Sequence, residues 1–393
     1  MPDVSAPQRG AARTPSLAAS ILELIAAGQA STRTELAKLL GAAPSTISLT
    51  VNQLVERGLL AERGTRSSAG GRPRKVLRAG GADEFALAAD LGGRHARIGV
   101  VLPGCGPADL ATIPFAVDEG PEAALPPLAE ALEQLAAARG RRLLRGVGLS
   151  LPGPVDVAHG TVTLPSRMPG WNRFRVDTWL EERFGVPAAV DNDANCMALG
   201  EHTVQAAERR QSITVKIGTA IGAGIIADGR LYRGANGAAG DITHVRIDAA
   251  GQTPCSCGNS GCLETVASGA ALVRILRERG AAVSTAQDVV RLVSDADPDA
   301  THAVRRAGRY LGQVLAANVN FFNPDAVYLG GILSTLEPLV AAVRSQLYEA
   351  CHPLATERLV IERASLGADA GLVGAGQLAL QRALTRALQS TEA

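Results

Sequence analysis

Three cysteines, Cys255, Cys257 and Cys262, fall within one eight-residue window, and His244 stands eleven residues upstream. Three thiolates and one imidazole make up the donor set of a closed tetrahedral zinc site. Glycines at 258 and 261 allow the tight backbone that three converging sulfurs need. A disulfide reading fits less well, because an odd cluster cannot pair off internally and the opening MPDVSAPQRG lacks the apolar core of a secretory signal. With every position filled by protein, the Zn2+ expected here is structural rather than catalytic. Asp241, His244 and Glu264 are polar groups pinned around the same knot.

A second set of groups lies upstream. Asn192-Asp193 follows the apolar run 188–190 and opens a helix. A carboxylate at a strand end can accept a proton from a hydroxyl being phosphorylated, but it can equally cap the helix, and the residues alone leave both open. Two stretches repeat one design of strand, glycine turn, strand: FALAAD-LGGRH-ARIGVVL and SITVKI-GTAIG-AGIIA, with Asp90 and Thr219 at the bends. Glycines in such turns let backbone N–H groups approach phosphates, although most glycine turns merely turn.

The run G-D-I-T-H, followed by C-S-C-G-N-S-G-C-L-E, resembles the signature of the ROK family of repressors, open reading frames and kinases, and the similarity spans roughly Phe85 to Leu384. The resemblance implies an α/β fold over residues 84–385, actin-like (sugar kinase/ribonuclease H-like) and two-lobed, with the zinc knot shaping a sugar pocket. It implies Asn192, Asp193, Asp241, His244 and Glu264 as sugar contacts, Asp193 as the family's catalytic base, and Gly330-Gly331 as an adenosine-side loop. Three positions depart from the kinase pattern. Asp241 stands where kinases of the family usually carry Glu; Arg94 replaces the hydroxyl residue of D-x-G-G-T; Ala220 replaces a glycine in G-T-A-I-G. A methyl in a phosphate-cradling turn blocks close backbone approach, so ATP with Mg2+ is not an expected cofactor and Asp193 is expected to bind sugar without catalytic use. Arg94 could meet an anionic group such as a sugar phosphate, or simply be solvated.

The elements before this body have a different character. Up to Gly80 there are eleven Lys/Arg against five Asp/Glu, and the remainder carries 28 against 33. That asymmetry points to a nucleic-acid-binding head on a more acidic body. After an arm at 1–15, apolar positions at Leu17, Ile21, Leu24 and Ile25 have helical spacing, ending at Gly28. Thr32 and Glu35 read as a capping box for a second helix closed by Gly41, and Pro44 opens a third carrying Ile47, Val51, Leu54 and Val55 inward. The set predicts a winged helix-turn-helix over 16–80. Ser45, Thr46, Ser48, Asn52 and Gln53 would read DNA from the third helix, with Arg33 beside them. Arg66, Arg72, Arg74 and Lys75 would lie on the wing, where an Arg-Pro-Arg segment suits the minor groove. GGRPRK also resembles the wing of ROK repressors.

No apolar run approaches the roughly 18 residues of a membrane span, so a cytoplasmic protein with reduced cysteines and no membrane partner is expected. The combined expectation is a repressor of carbohydrate-metabolism genes, a homodimer or homotetramer on its operator whose DNA binding answers to a sugar or sugar phosphate, rather than an enzyme. The alternative is an ATP-dependent sugar kinase carrying a DNA-binding head.

Overall fold

The computed structural model describes residues 16–26, 29–68, 71–81, 83–103, 106–205 and 209–392. The arm expected at 1–15 and the helix stop at Gly28 lie outside them, as do the side chains of Arg66, Arg72 and Arg74.

The head is three helices, Leu17–Ala26, Arg33–Leu40 and Pro44–Glu56, followed by an antiparallel ribbon of Leu60–Ser68 with Gly71–Ala79. The second helix starts where Thr32 Oγ1 accepts from Glu35 N at 3.2 Å and Glu35 Oε2 accepts from Thr32 N at 3.1 Å. Each side chain satisfies a donor that the helix end would leave orphaned. Gly41, at φ 60°, stops that helix in the left-handed conformation that a Cβ disfavours. The i, i+4, i+7 positions Ile47, Val51 and Leu54 are buried and join Ile21, Leu36, Leu60 and Leu77 in one core. Leu388, from the other end of the chain, is a member of the same core.

Among the described residues, the body holds two five-stranded sheets of like topology. In the first, Phe85–Leu91 pairs antiparallel with His95–Val101 and parallel with Leu144–Leu151, and Pro107–Pro114 and Ala188–Asn192 form the edges. In the second, Ser212–Ile217 takes the central place, antiparallel to Ile221–Ala227 and parallel to Ala326–Gly330, with edges Arg230–Tyr232 and Val360–Arg363. The sequence duplication is therefore a duplication of topology. Alternation decides which side chains reach which layer. Phe85, Leu87, Ala89 and Leu91 face a core with Leu149 and Trp171, whereas Ala86 and Ala88 face Leu372 and Ala375. Asp90 shares that second face, and a Cβ on Gly371 would lie 2.6 Å from its carboxylate carbon. Residues 286–322 hold two helices, Ala286–Ser294 and Pro298–Phe322, and Asp297 Oδ1 caps the second by accepting from Ala300 N at 2.8 Å.

Two helices tie the parts together. The helix Asp193–Val204 packs against both sheets, and the terminal helix Ala370–Glu392 lies on it and on the first sheet. Glycines set this contact distance. A Cβ on Gly148 would come 2.0 Å from Ala375 O, one on Gly200 2.0 Å from Ala370 O, and one on Gly374 1.8 Å from Cys196 O. The boundary expected at 385 falls inside the terminal helix, whose last turns reach the head through Leu388. Gln29 Nε2 adds a polar tie, donating to Asp228 O at 2.9 Å. No helix among the described residues is long and apolar enough to cross a membrane.

Candidate functional site

The cysteine loop closes into a compact knot. Gly258 and Gly261 take φ of 90° and 77°, and a Cβ on Gly261 would sit 2.7 Å from Gly251 O. The donor atoms of His244, Cys255, Cys257 and Cys262 all lie within 4.8 Å of one another. His244 Nδ1 is 3.5 Å from Cys255 Sγ, and Cys257 Sγ is 3.8 Å from Cys262 Sγ. A tetrahedral ion with metal–sulfur bonds of about 2.3 Å requires sulfur–sulfur edges of about 3.8 Å, so the cluster has the dimensions to hold a metal. Burial, and then the neighbouring Cys255 and Cys257, push the Cys262 thiol up to about 12. A bound cation would reverse that penalty by stabilising the thiolates.

The knot also positions two of the polar groups noted in the sequence. Glu264 N donates to Thr243 O at 3.0 Å and Leu263 N to Val245 O at 2.9 Å, which sets His244 and Glu264 side by side on one short ladder. The Glu264 carboxylate is buried and engaged at both oxygens: Oε2 accepts from Ile221 N at 3.0 Å and Oε1 from Arg167 Nη2 at 3.0 Å. Burial raises its pKa, and the Ile221 amide and the Arg167 guanidinium oppose the rise. Ile221 adjoins Gly222, whose Cβ position is 3.0 Å from Ala194 Cβ, so Glu264 and the start of the helix Asp193–Val204 border the same cleft.

At that helix start, Asn192 rather than Asp193 is the cap. Asn192 Oδ1 accepts from Ala194 N at 2.9 Å, and its Nδ2 donates to Gly153 O at 3.1 Å. Asp193, one residue on, is left to face Lys216, whose Nζ lies 2.5 Å from Asp193 Oδ2. Burial alone would depress the ammonium, but Asp193 and then Asp90 hold Lys216 above its usual value. Asp90 in turn accepts a hydrogen bond from Ser150 Oγ. Asp241 stands apart: it is exposed, and its carboxylate has no hydrogen-bond partner among the described residues.

Both glycine turns are internally bonded. Gly92 N donates to His95 O at 2.8 Å and Gly218 N to Ala220 O at 3.0 Å. Arg94 and Ala220 are exposed at the bends.

In the head, Ser45, Thr46, Asn52 and Gln53 are exposed on the third helix and Ser48 is half-buried. Arg33 Nη2 donates to Asn52 Oδ1 at 2.8 Å, and Arg33 Nη1 lies 2.6 Å from Glu62 Oε1, which also pairs with Lys75. Arg33 and Lys75, two of the candidate DNA contacts, are thus joined through a glutamate that sequence reasoning passed over, and Asn52 is tied in through Arg33.

Lys216, Arg167 and Arg233 were missed as well. Arg233, just past the second sheet, pairs at 2.7 Å with Asp191 on the first sheet's edge strand. A lysine inside the apolar run SITVKI was the available signal, since a buried charge demands a partner. The arginines lie in irregular segments and gave none.

Comparison with known proteins follows the same lines. A glucokinase from Halalkalibacterium halodurans is 31% identical over 318 residues, covering 76% of this chain and 96% of that protein. A xylose repressor from Bacillus spizizenii is 30% identical over 356 residues, covering 90% and 91%. The solved structure of a ROK family transcriptional regulator, a homolog of the E. coli MLC protein, superposes with a TM-score of 0.75 at 26% identity, covering 95% of this chain and 97% of that one. Residues 88–382, which take in the cysteine knot and all of both sheets except Phe85, Ala86 and Leu87, match the ROK family, and the chain belongs to it.

Proposed function

We propose that the protein is a sugar-responsive transcriptional repressor. The observation that carries this reading is the shared core of Leu388 and the head. It joins a candidate DNA-binding unit to the same helix that packs on Asp193–Val204 at the cleft. A ligand that favours one arrangement of the cleft then has a direct mechanical route to the head. The resemblance to the xylose repressor, which takes in 90% of this chain against 76% for the glucokinase, supports the same assignment.

In this reading residues 16–80 form a winged helix-turn-helix. Ser45, Thr46, Ser48 and Asn52 meet base edges or phosphates in the major groove, while Arg33, Arg72, Arg74 and Lys75 supply positive charge along helix and wing. The body binds a sugar near Asn192, Asp193, Asp241, His244 and Glu264. His244, Cys255, Cys257 and Cys262 hold a structural Zn2+, which stabilises the loop carrying His244 and Glu264 and takes no part in chemistry. A homodimer or homotetramer presents two heads to operator half-sites.

The kinase relatives make phosphoryl transfer the rival reading. Lys216 counts against it, because its ammonium already occupies one of the two Asp193 oxygens that could take a proton from a sugar hydroxyl. The test is a sugar panel read in two assays on full-length protein: release or recruitment of DNA from upstream of its own and neighbouring genes, and ATP-coupled turnover. A sugar that shifts DNA binding without turnover supports regulation. Turnover that Asp193→Asn abolishes would make the protein a kinase.

A further inference from the structure

Several of the acceptors that a neutral sugar would use already have partners. Asn192 Oδ1 caps its helix, Asp193 Oδ2 meets Lys216, and both oxygens of Glu264 are engaged, by Ile221 N and by Arg167. Hydroxyl-rich ligands are held by groups that can accept as well as donate, and this end of the cleft has donors left over. Arg167 is the clearest of them. One of its five N–H donors is spent on Glu264, its side chain is 41% exposed, and no other partner for it is found among the described residues.

The two partners belong to different halves of the body. Arg167 precedes Met168 and Trp171, which sit in the core of the first sheet, and Glu264 follows Leu263, which sits in the core of the second. Displacing Arg167 to admit a sugar hydroxyl would leave the Glu264 carboxylate, only 4% exposed, without its counter-ion. Stripping a buried charge of its partner is strongly unfavourable. A ligand that leaves the pair intact meets the outer edge of the guanidinium. That planar fork matches a carboxylate or phosphate better than a hydroxyl.

We infer that Arg167 selects an effector sugar bearing a carboxylate or a phosphate, gripping the anion with its outer edge while its inner edge stays on Glu264. The inference rests on the regulatory reading above and narrows the class of its ligand.

Calorimetry on the full-length protein tests it with matched sets: a neutral aldose, its aldonate, its uronate and its terminal phosphate. At least one acid or phosphate is expected to bind tenfold or more tightly than its neutral parent, about 1.4 kcal/mol. Preference for the carboxylates or for the phosphate identifies which anion the site takes. Arg167→Met is expected to erase the preference, and Arg167→Lys, which keeps the charge but not the fork, to restore part of it; the lysine variant also serves if the methionine variant folds poorly. Neutral sugars that bind wild type as tightly as their charged forms would overturn the inference and leave the regulatory reading standing. So would an Arg167→Met protein that gains affinity for neutral sugars while keeping its affinity for anions, since the guanidinium would then be only a plug. If no sugar of either kind binds while operator binding persists, both readings fail together.

Discussion

The Lys216 ammonium sits 2.5 Å from Asp193 Oδ2, joining the central strand of the second sheet to the helix that follows the first. Asp90 adds a second negative charge nearby, and the three form a group that neither half of the body could satisfy alone. Asp193→Asn removes one partner and leaves a largely buried ammonium with Asp90. The expected cost is about 3 kcal/mol in urea unfolding, in the range for breaking a buried pair. Lys216→Met should cost at least as much, because Asp193, at 15% exposed against 23% for Lys216, is then left beside Asp90 with no counter-ion. A change under about 0.5 kcal/mol in Asp193→Asn would mean that the pair behaves as a solvated surface contact.

Cys257→Ser should lose bound metal and lower the melting temperature of the body, as should prolonged chelation of wild type. Structural zinc contributes apparent binding energies on the order of 10 kcal/mol in small domains. Because Glu264 hangs from the same ladder as His244, ligand affinity should fall with the metal. Zinc-free protein of unchanged stability would count against a metal role for the cluster.

Arg72→Ala with Arg74→Ala should weaken DNA binding uniformly across sequences and reduce its salt dependence, since phosphate contacts act through counter-ion release. Binding measured across a salt series reads both effects. Unaltered affinity and slope would leave the ribbon without a part in recognition.

Glu62 links Arg33 to Lys75, and the Lys75 hydrogen bond, helped by Arg33 and opposed by partial burial, lowers its pKa. A carboxyl depressed by folding stabilises the folded state above its unfolded value of about 4.3, and that contribution vanishes as pH falls through the folded value. Glu62→Gln should therefore destabilise the head near pH 6, and its difference from wild type should narrow as the pH falls below the unfolded value. Thermal unfolding at several pH values tests the sign. A gap that widens on acidification would contradict it.

What could be read from the sequence was local. The Thr32–Glu35 box, the stop at Gly41, the paired glycine turns and the cysteine spacing each involve residues close in the chain, whose covalent geometry dictates the contact. The pairs that define the cleft are different. Lys216 and Asp193 are 23 residues apart and Arg167 and Glu264 are 97 apart, and each partner is chosen by how two sheets pack. The exchange of roles between Asn192 and Asp193 turned on a single residue of helix phase, which propensities do not resolve. The reach of the last helix into the head was hidden for another reason. Leu388 has the apolar spacing of any amphipathic helix, and nothing in it names the surface it covers.

That contact has a consequence for how the protein comes into being. Leu388 shares a core with Ile21 and Leu36, so the head finishes its interior only after the body that follows it has been synthesised. Domains otherwise tend to assemble from the N-terminus as translation proceeds. Here a nascent or prematurely ended polypeptide carries a gap-toothed head, and the head reaches its full stability only together with the body.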